Sequence, residues 1–186
     1  MHHTPTRALR PLARGVAAVA TSLTIVALLV SPASAHVTVH PDTAPRASFS
    51  ILSFSVPNER DNASTVSVEI DVPTDHPIAY VSVQPVPGWT TTIERTTLAT
   101  PVRVHGGSVT DVVSKIVWSG GTIRPGEFQQ FTVSAGPLPA RGRSVVFKAL
   151  QTYSSGEVVR WIETPVKGAP EPDHPAPVLT LTRAKG

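Results

Sequence analysis

The residue most clearly able to take part in chemistry is His36, because of the residues that precede it. The stretch Ala33-Ser34-Ala35 has the small-x-small form of a signal peptidase site, and cleavage there would make His36 the first residue of the mature chain. Its free α-amine and its imidazole Nδ1 could then bind the same ion. Such nitrogens suit Cu(II), which favours a planar set of nitrogen and oxygen donors, and a carboxylate could supply a third donor. The alternative is that a histidine follows the cleavage site by chance.

Residues 1–35 have the three parts of a secretory signal peptide. Three arginines and no acid make the beginning basic, an apolar run covers about residues 15–29, and Pro32 ends it. A membrane-spanning helix needs roughly 20 apolar residues without a break, so a permanent anchor is the less favoured interpretation. We predict a cleavable signal peptide, a secreted or periplasmic mature protein, and no transmembrane anchor after cleavage.

Charge and composition exclude several classes of function. The whole chain has 16 basic and 13 acidic residues, but three of the basic residues lie in the leader. The mature part is therefore balanced, and it has no basic cluster of the kind that binds nucleic acid. The chain has no cysteine and its single methionine is Met1. This excludes thiolate metal sites, cysteine nucleophiles and a soft site for Cu(I).

Familiar enzyme signatures are absent from the sequence. It contains neither a G-x-S-x-G nucleophile pattern nor an H-E-x-x-H zinc pattern, and nothing pairs its glutamates as a glycosidase would need. His40 is separated from His36 by about 13 Å of extended chain and is predicted to be a surface residue. His76, His105 and His174 each precede a proline or a glycine and are predicted to lie in loops.

The mature chain is predicted to be all-β, because short alternating runs are separated by prolines and glycines. Residues 64–73 show this best, with Val66, Val68, Ile70 and Val72 expected on one face and polar residues on the other. No window has the periodicity of an amphipathic helix. About seven or eight such strands predict an immunoglobulin/fibronectin-III-like β-sandwich.

Local patterns add further expectations. Phe49 and Ile51 are expected on the apolar face of one strand, together with Phe54 and Val56. Gly120-Gly121 predicts a turn after a strand. The remaining predictions are a bulge in residues 126–139 near Phe128 and Phe131, a hairpin through Ser154-Ser155-Gly156, an extended linker or edge segment over residues 167–177, and a last strand within residues 176–184.

Five segments of the mature chain follow one another in this order: HVTVHP, FSVPNER, SVQPVPGWT, GTIRPGEFQQFTVSAGPLP and VFKALQTYSSGEVVRWIE. Together they resemble the YcnI-like family of bacterial extracytoplasmic copper-binding proteins. The resemblance covers about residues 36–165 and implies the same sandwich fold. It divides the chain into a signal peptide (1–35), a YcnI-like copper-binding sandwich (36–166) and a Pro-rich segment with a C-terminal tail (167–186).

The resemblance also implies a Cu(II) site of the single-histidine brace type. His36 matches the histidine that supplies an amine and Nδ1. Glu59 is the best match for a glutamate that supplies an oxygen, and Glu69 is the rival. Trp161 matches a tryptophan over the copper, which would shield or tune the ion because an indole N–H has no basic lone pair. Glu59 could instead be a solvated turn residue and Trp161 a core aromatic. The other two tryptophans, Trp89 and Trp118, are expected to be core or turn residues.

The function that follows is that of an extracytoplasmic Cu(II)-binding protein, not an enzyme, that scavenges, delivers or stores copper. A membrane copper transporter or another copper chaperone is the implied exchange partner, and no nucleic acid is expected. Two alternatives stay open: a copper-dependent oxidative enzyme of histidine-brace type, which needs a second histidine, and a metal-free adhesion or interaction module. Many relatives continue into a membrane helix, whereas this sequence ends at LTLTRAKG, so we expect a form without that tether.

Overall fold

A computed structural model describes residues 1–2, 36–104, 106–166 and 168–184. Most of the predicted signal peptide (1–35), from residue 3 up to the predicted cleavage site after Ala35, lies outside this described part. Among the described residues, no helix has the length and apolar character that a membrane crossing requires. Their regular elements are the strands β1 (Thr38–His40), β2 (Thr43–Pro45), β3 (Ser50–Pro57), β4 (Thr65–Asp71), β5 (Tyr80–Val83), β6 (Thr90–Val104), β7 (Gly107–Ile123), β8 (Phe128–Gly136), β9 (Ser144–Val146), β10 (Lys148–Tyr153), β11 (Val158–Trp161) and β12 (Val178–Thr182).

The strands form two main sheets and one small sheet. One main sheet has the order β1-β3-β8-β5 and the other has the order β11-β10-β4-β7-β6. The small sheet has the order β2-β12-β9, with β12 parallel to β2 and antiparallel to β9. As a result, β1 and β11 are edge strands of different main sheets.

The core lies between the two main sheets. The ring of Trp118 on β7 lies 4.9 Å from that of Phe131 on β8, so the two sheets touch through their inner aromatic side chains. Phe54 on β3 meets Phe147, which lies between β9 and β10, edge to face at 5.2 Å. Burial of large apolar side chains on both inner faces is the main stabilising contribution in a fold that has no disulfide.

The buried face of β3 matches the prediction for Phe54 and Val56 but not the prediction for Phe49 and Ile51. Leu52, Phe54 and Val56 are buried, whereas Phe49 is 61% and Ile51 60% exposed. Successive side chains of a strand point to opposite faces, so these two sets cannot share one face. The core takes the set with three large apolar residues, and the prediction for Phe49 and Ile51 was wrong.

The glycine pair Gly120-Gly121 lies inside β7 and not in a turn. Register between β4 and β7 shifts at this point, which makes a bulge, and Gly120 has a φ of +84° that glycine adopts without strain. A Cβ on Gly121 would overlap the indole of Trp89. The same shift changes the start of β4, where Thr65 is buried in place of Val66.

Strand β8 is regular where a bulge was predicted. It pairs with β3 in one unbroken register along its length. Phe131 and Val133 are buried, and Phe128 is 64% exposed. Because Phe128 and Phe131 are an odd number of residues apart, a regular strand places them on opposite faces.

The C-terminal part follows the predicted pattern. Strands β10 and β11 form the expected antiparallel hairpin, and Gly156 has a φ of +88° in its turn. Residues 168–177 lead from this hairpin to β12, which is the predicted last strand, and Pro175 forms an isolated bridge with Glu163 on the way.

Candidate metal centre

His36 is positioned by the strand that follows it. Strand β1 pairs with β3 at the edge of its sheet, and the neighbouring Val37 and Val39 are 2% and 4% exposed. Packing of these two side chains into the core fixes where the preceding residue lies. The side chain of His36 is 21% exposed, so it reaches solvent from a largely enclosed position.

Trp161 meets His36 from the other main sheet. It is the last residue of β11 and is 2% exposed. The centroids of the His36 and Trp161 rings are 5.8 Å apart, and the ring planes are inclined by 57°. Two of the three residues predicted for the copper site are therefore in contact, one just before the edge strand β1 and the other at the end of the edge strand β11.

Gln151 holds the indole of Trp161 in place. The indole Nε1–H donates to Gln151 Oε1 at 3.1 Å. Gln151 is 1% exposed, and its Nε2 donates to Thr65 Oγ1 at 2.7 Å and to the Pro57 carbonyl at 2.8 Å. Because the indole N–H is engaged in the core, Trp161 can offer only its ring atoms to a group beside His36.

The loop that carries Glu59 is held by Asn58, which is buried. The Asn58 Nδ2 group donates to the carbonyl oxygens of Ala63 at 2.8 Å and Ile123 at 2.9 Å. Its Oδ1 accepts a hydrogen bond from the backbone N–H of Arg60 at 2.8 Å. Glu59 therefore lies in a fixed connection between β3 and β4.

Glu59 is close to charged and phenolic groups. The guanidinium of Arg60 donates to both carboxylate oxygens of Glu157, at 2.7 and 3.0 Å, and lies 5.2 Å from the ring centroid of Tyr153. The hydrogen bond to Glu157 raises the pKa of Arg60, and Glu59 acts in the same direction more weakly. Burial raises the pKa of Tyr153. The role of Glu59 as an oxygen ligand stays a prediction.

Glu69 points away from the contact between His36 and Trp161. Ile70 lies opposite Ala149, which lies opposite Trp161 in the next pair of strands. Directly opposed residues share a face of a sheet, so Trp161 shares the face of Ile70, and Glu69 lies on the other face. The Oε1 atom of Glu69 is 2.9 Å from Lys115 Nζ.

Two residues that sequence reasoning did not assign to the site lie against its predicted members. Glu171 Oε1 is 3.6 Å from His36 Nδ1, and the ring of His174 meets that of Trp161 edge-on at 5.2 Å. Both belong to the Pro-rich segment that was interpreted as a linker or edge. A glutamate and a histidine within a few residues of each other were the available signal, but sequence spacing does not reveal where such a segment lies.

Hydrogen bonds fix His174 to the end of the hairpin. Its backbone N–H donates to Glu163 Oε2 at 2.7 Å, and its carbonyl accepts from the Glu163 N–H at 3.1 Å. A surface cavity of about 410 Å³ lies beside this contact, and Arg60, Glu157, Glu163 and His174 are among the residues that line it.

The other histidines of the predicted mature chain have different contacts or lie outside the described residues. His40 is exposed, and its Nε2 is 3.0 Å from Thr38 Oγ1. His76 lies in a loop, 3.4 Å from a carboxylate oxygen of Asp75. His105 lies outside the residues that the structure describes.

The described side chains alone do not make a complete metal site. No group of three or more histidine, cysteine, aspartate or glutamate side chains in the described part of the chain could hold a metal ion. A site at His36 therefore needs a donor of another kind. In the full chain the backbone nitrogen of His36 is bonded to Ala35, and cleavage of that bond would turn it into an amine.

Three comparisons relate this chain to known proteins. The sequence pattern of a family described as "Domain of unknown function (DUF1775)" matches residues 36–181. The copper-binding protein CutI of Bacillus subtilis (strain 168) is 29% identical over 157 residues, which cover 83% of this chain and 66% of that protein. A crystal structure of an uncharacterized protein from Nocardia farcinica, described as an immunoglobulin-like fold, has a TM-score of 0.63 and 34% identity, and the match covers 81% of this chain and 99% of that one. The predicted immunoglobulin-like sandwich is confirmed.

Proposed function

Since this chain belongs to the DUF1775 family, we propose that it is an extracytoplasmic protein that binds Cu(II) and serves to scavenge, deliver or store copper. The observation that carries the proposal is the contact of His36 with Trp161. A residue that cleavage would make N-terminal is held against a buried indole instead of lying on a free chain end. The name of CutI, a copper-binding protein, supports the choice of metal.

The ion is held first by His36. Signal peptidase cleavage after Ala35 provides the α-amine, and Nδ1 of the same residue closes the chelate. Glu59 is the carboxylate that the sequence match assigns as oxygen donor, which lowers the net charge of the bound ion. Trp161 covers one side of the site and keeps it partly dry. Nitrogen and oxygen donors without any thiolate or thioether favour Cu(II) over Cu(I).

The free amine is the feature to test. We expect a chain that begins at His36 to bind Cu(II), and the same chain with one residue added before His36 to bind at least about 100-fold more weakly. An amide nitrogen is a poor donor, and even loss of an outer hydrogen-bond partner of a metal ligand typically costs 10–100-fold. Isothermal titration with Cu(II) measures both affinities, and mass spectrometry of the exported protein identifies its first residue.

The matched control is His40→Ala in the chain that begins at His36. It removes an exposed imidazole four residues from the terminus and should leave the affinity unchanged. Equal affinity of the extended and the unextended chain would refute the terminal chelate. An exported protein that begins at another residue would refute it as well.

One observation favours a second candidate, the copper-dependent oxidative enzyme. Such an enzyme needs a second histidine on the ion, and the ring of His174 contacts the same indole as His36. His174→Ala should leave the electron paramagnetic resonance spectrum of bound Cu(II) unchanged if the protein only carries copper. Loss of a second imidazole from the spectrum, together with peroxide-driven cleavage of chitin or cellulose by the unaltered protein, would favour the enzyme.

A further inference from the structure

We propose that residues 168–177 form a strap over the copper site and that Glu171 on this strap is an oxygen ligand of the ion. This inference rests on the proposed function, because it adds a ligand to the same ion. It gives the Pro-rich segment a role in binding and release that its composition alone does not suggest.

The distance between Glu171 and His36 fits two ligands of one ion. Glu171 Oε1 and His36 Nδ1 are 3.6 Å apart. Metal–ligand distances of about 2.0–2.2 Å for nitrogen and oxygen place adjacent donors about 2.8–3.1 Å apart and opposite donors about 4.0–4.4 Å apart. The observed separation lies between these limits, so a small movement of one side chain brings both atoms onto a common ion.

The ligand count also agrees with the rest of the site. His36 would provide two nitrogens and Glu171 one oxygen, so two residues supply three donors. Such a site needs no group of three metal-binding side chains, and the described residues contain none. A water molecule or Glu59 can take the fourth position of a tetragonal Cu(II) site.

The strap is fastened at one end and exposed at the other. Backbone hydrogen bonds join Glu163 to His174 and to Ala176, the second at 2.8 Å, and Ala176 is 5% exposed. Toward the other end, residues 168–171 are all exposed, and the side chain of Glu171 is 74% exposed. Glu171 can therefore move relative to His36 while the contact of His174 with Trp161 stays in place.

The prolines of the strap limit what this movement costs. Residues 170, 172, 175 and 177 are prolines, whose φ angle is fixed by the ring. An extended segment of this kind has few conformations to lose when Glu171 binds the ion. A ligand on such a segment can leave the copper without any change in the sandwich, which suits a protein that hands its ion to an acceptor.

The experiment uses the chain that begins at His36 and two matched variants on the strap. Glu171→Gln removes the proposed donor, and Asp173→Asn makes the same change of charge at an exposed residue two positions away. We expect Glu171→Gln to weaken Cu(II) binding at least about tenfold and to alter the paramagnetic resonance spectrum, whereas Asp173→Asn changes neither. Transfer of copper to a competing chelator, followed by stopped flow, should be faster for Glu171→Gln alone.

A Glu171→Gln variant with the affinity and spectrum of the unaltered chain would overturn the strap proposal. Equal losses in both strap variants would overturn it too, because the effect would then be one of charge alone. His36→Ala distinguishes failure of the strap proposal from failure of the proposed function. If it abolishes binding while Glu171→Gln does not affect it, the terminal chelate stands and the strap proposal fails. If His36→Ala leaves binding intact, the proposed function fails as well.

Discussion

Among single residues, Gln151 holds the indole of Trp161 directly, because its carboxamide accepts from the indole N–H and donates to the Thr65 hydroxyl and the Pro57 carbonyl. Gln151→Leu would keep the side-chain size but leave the indole N–H, the Thr65 hydroxyl and the Pro57 carbonyl without this partner. Each buried polar group left unsatisfied costs about 1–3 kcal/mol. We expect the free energy of unfolding to fall by about 2–4 kcal/mol, measured by urea denaturation, since partial relaxation makes the three losses less than additive.

The control for this change is Gln130→Leu on β8. Gln130 is exposed, and surface substitutions usually alter stability by less than about 0.5 kcal/mol. If both variants unfolded at the same urea concentration, the hydrogen bonds of Gln151 would contribute nothing to stability. The tryptophan fluorescence of Gln151→Leu should also change in the folded state, because one indole loses its hydrogen-bond partner.

Sequence reasoning identified some of these residues and missed others for a physical reason. His36 stood out because of the peptidase motif and Trp161 because of the family resemblance, and their rings lie 5.8 Å apart. Neither a motif nor the family resemblance distinguishes Gln151 and Glu171. A buried amide looks like any polar residue of a strand, and the place of Glu171 depends on how the chain returns after β11. The copper roles of His36, Glu59 and Trp161 remain proposals.

At the scale of elements, the pair Arg60–Glu157 joins the β3–β4 loop to the turn of the β10–β11 hairpin. Its two hydrogen bonds connect the part of the chain that carries Glu59 to the part that carries Trp161. The hydrogen bond from Arg60 holds the pKa of Glu157 below its ordinary value. The pair therefore favours the folded state above the pKa of the unfolded glutamate, and this contribution is lost as the pH falls through the lowered folded-state pKa.

Arg60→Gln should move the pKa of Glu157 back up toward its ordinary value. Nuclear magnetic resonance titration of the glutamate carboxyl carbons measures this directly. Arg124→Gln, which removes an arginine from the β7–β8 connection, is the control and should leave the Glu157 titration unchanged. An unaltered Glu157 curve in Arg60→Gln would show that the ion pair does not persist in solution.

Sequence patterns predicted which elements exist better than they predicted which side chains point inward. The alternation around Val68 and Ile70 and the hairpin at Gly156 were correct because each depends on local geometry. The errors at Phe49 and Gly120 have a common cause. A period of two predicts that side chains alternate between the two faces of a strand, but not which of the two sets of side chains is buried. A bulge exchanges the two sets, and its presence depends on contacts with a distant strand.

At the scale of the whole molecule, the resemblance to the YcnI-like family is confirmed by the family match over residues 36–181 and by the similarity to CutI. The sandwich gives the candidate centre a property that no single strand has. His36 lies beside the edge strand of one main sheet and Trp161 on the edge strand of the other, so an ion bound at His36 would lie next to both sheets. The arrangement exists only in the folded protein.

Copper binding should therefore stabilise the fold, but by less than its affinity alone implies. A ligand at 100 times its dissociation constant stabilises the folded state by at most about 2.7 kcal/mol, or about 5–10 °C in melting temperature for a domain of this size. The amine and imidazole of His36 can chelate Cu(II) in the unfolded chain too, and that part of the affinity cancels. The measured shift in melting temperature therefore reports only the part of the affinity that comes from donors and burial present in the folded state alone.

Thermal unfolding followed by circular dichroism, with Cu(II) and again after addition of a chelator, tests this prediction. The chain that begins at His36 should melt at a higher temperature with Cu(II), and the chelator should reverse the shift. The chain with one residue added before His36 should show a much smaller shift, because it lacks the amine. A tightly bound ion that left the melting temperature unchanged would mean that copper is held by the terminus alone, and that Trp161 and the carboxylates add nothing to its binding.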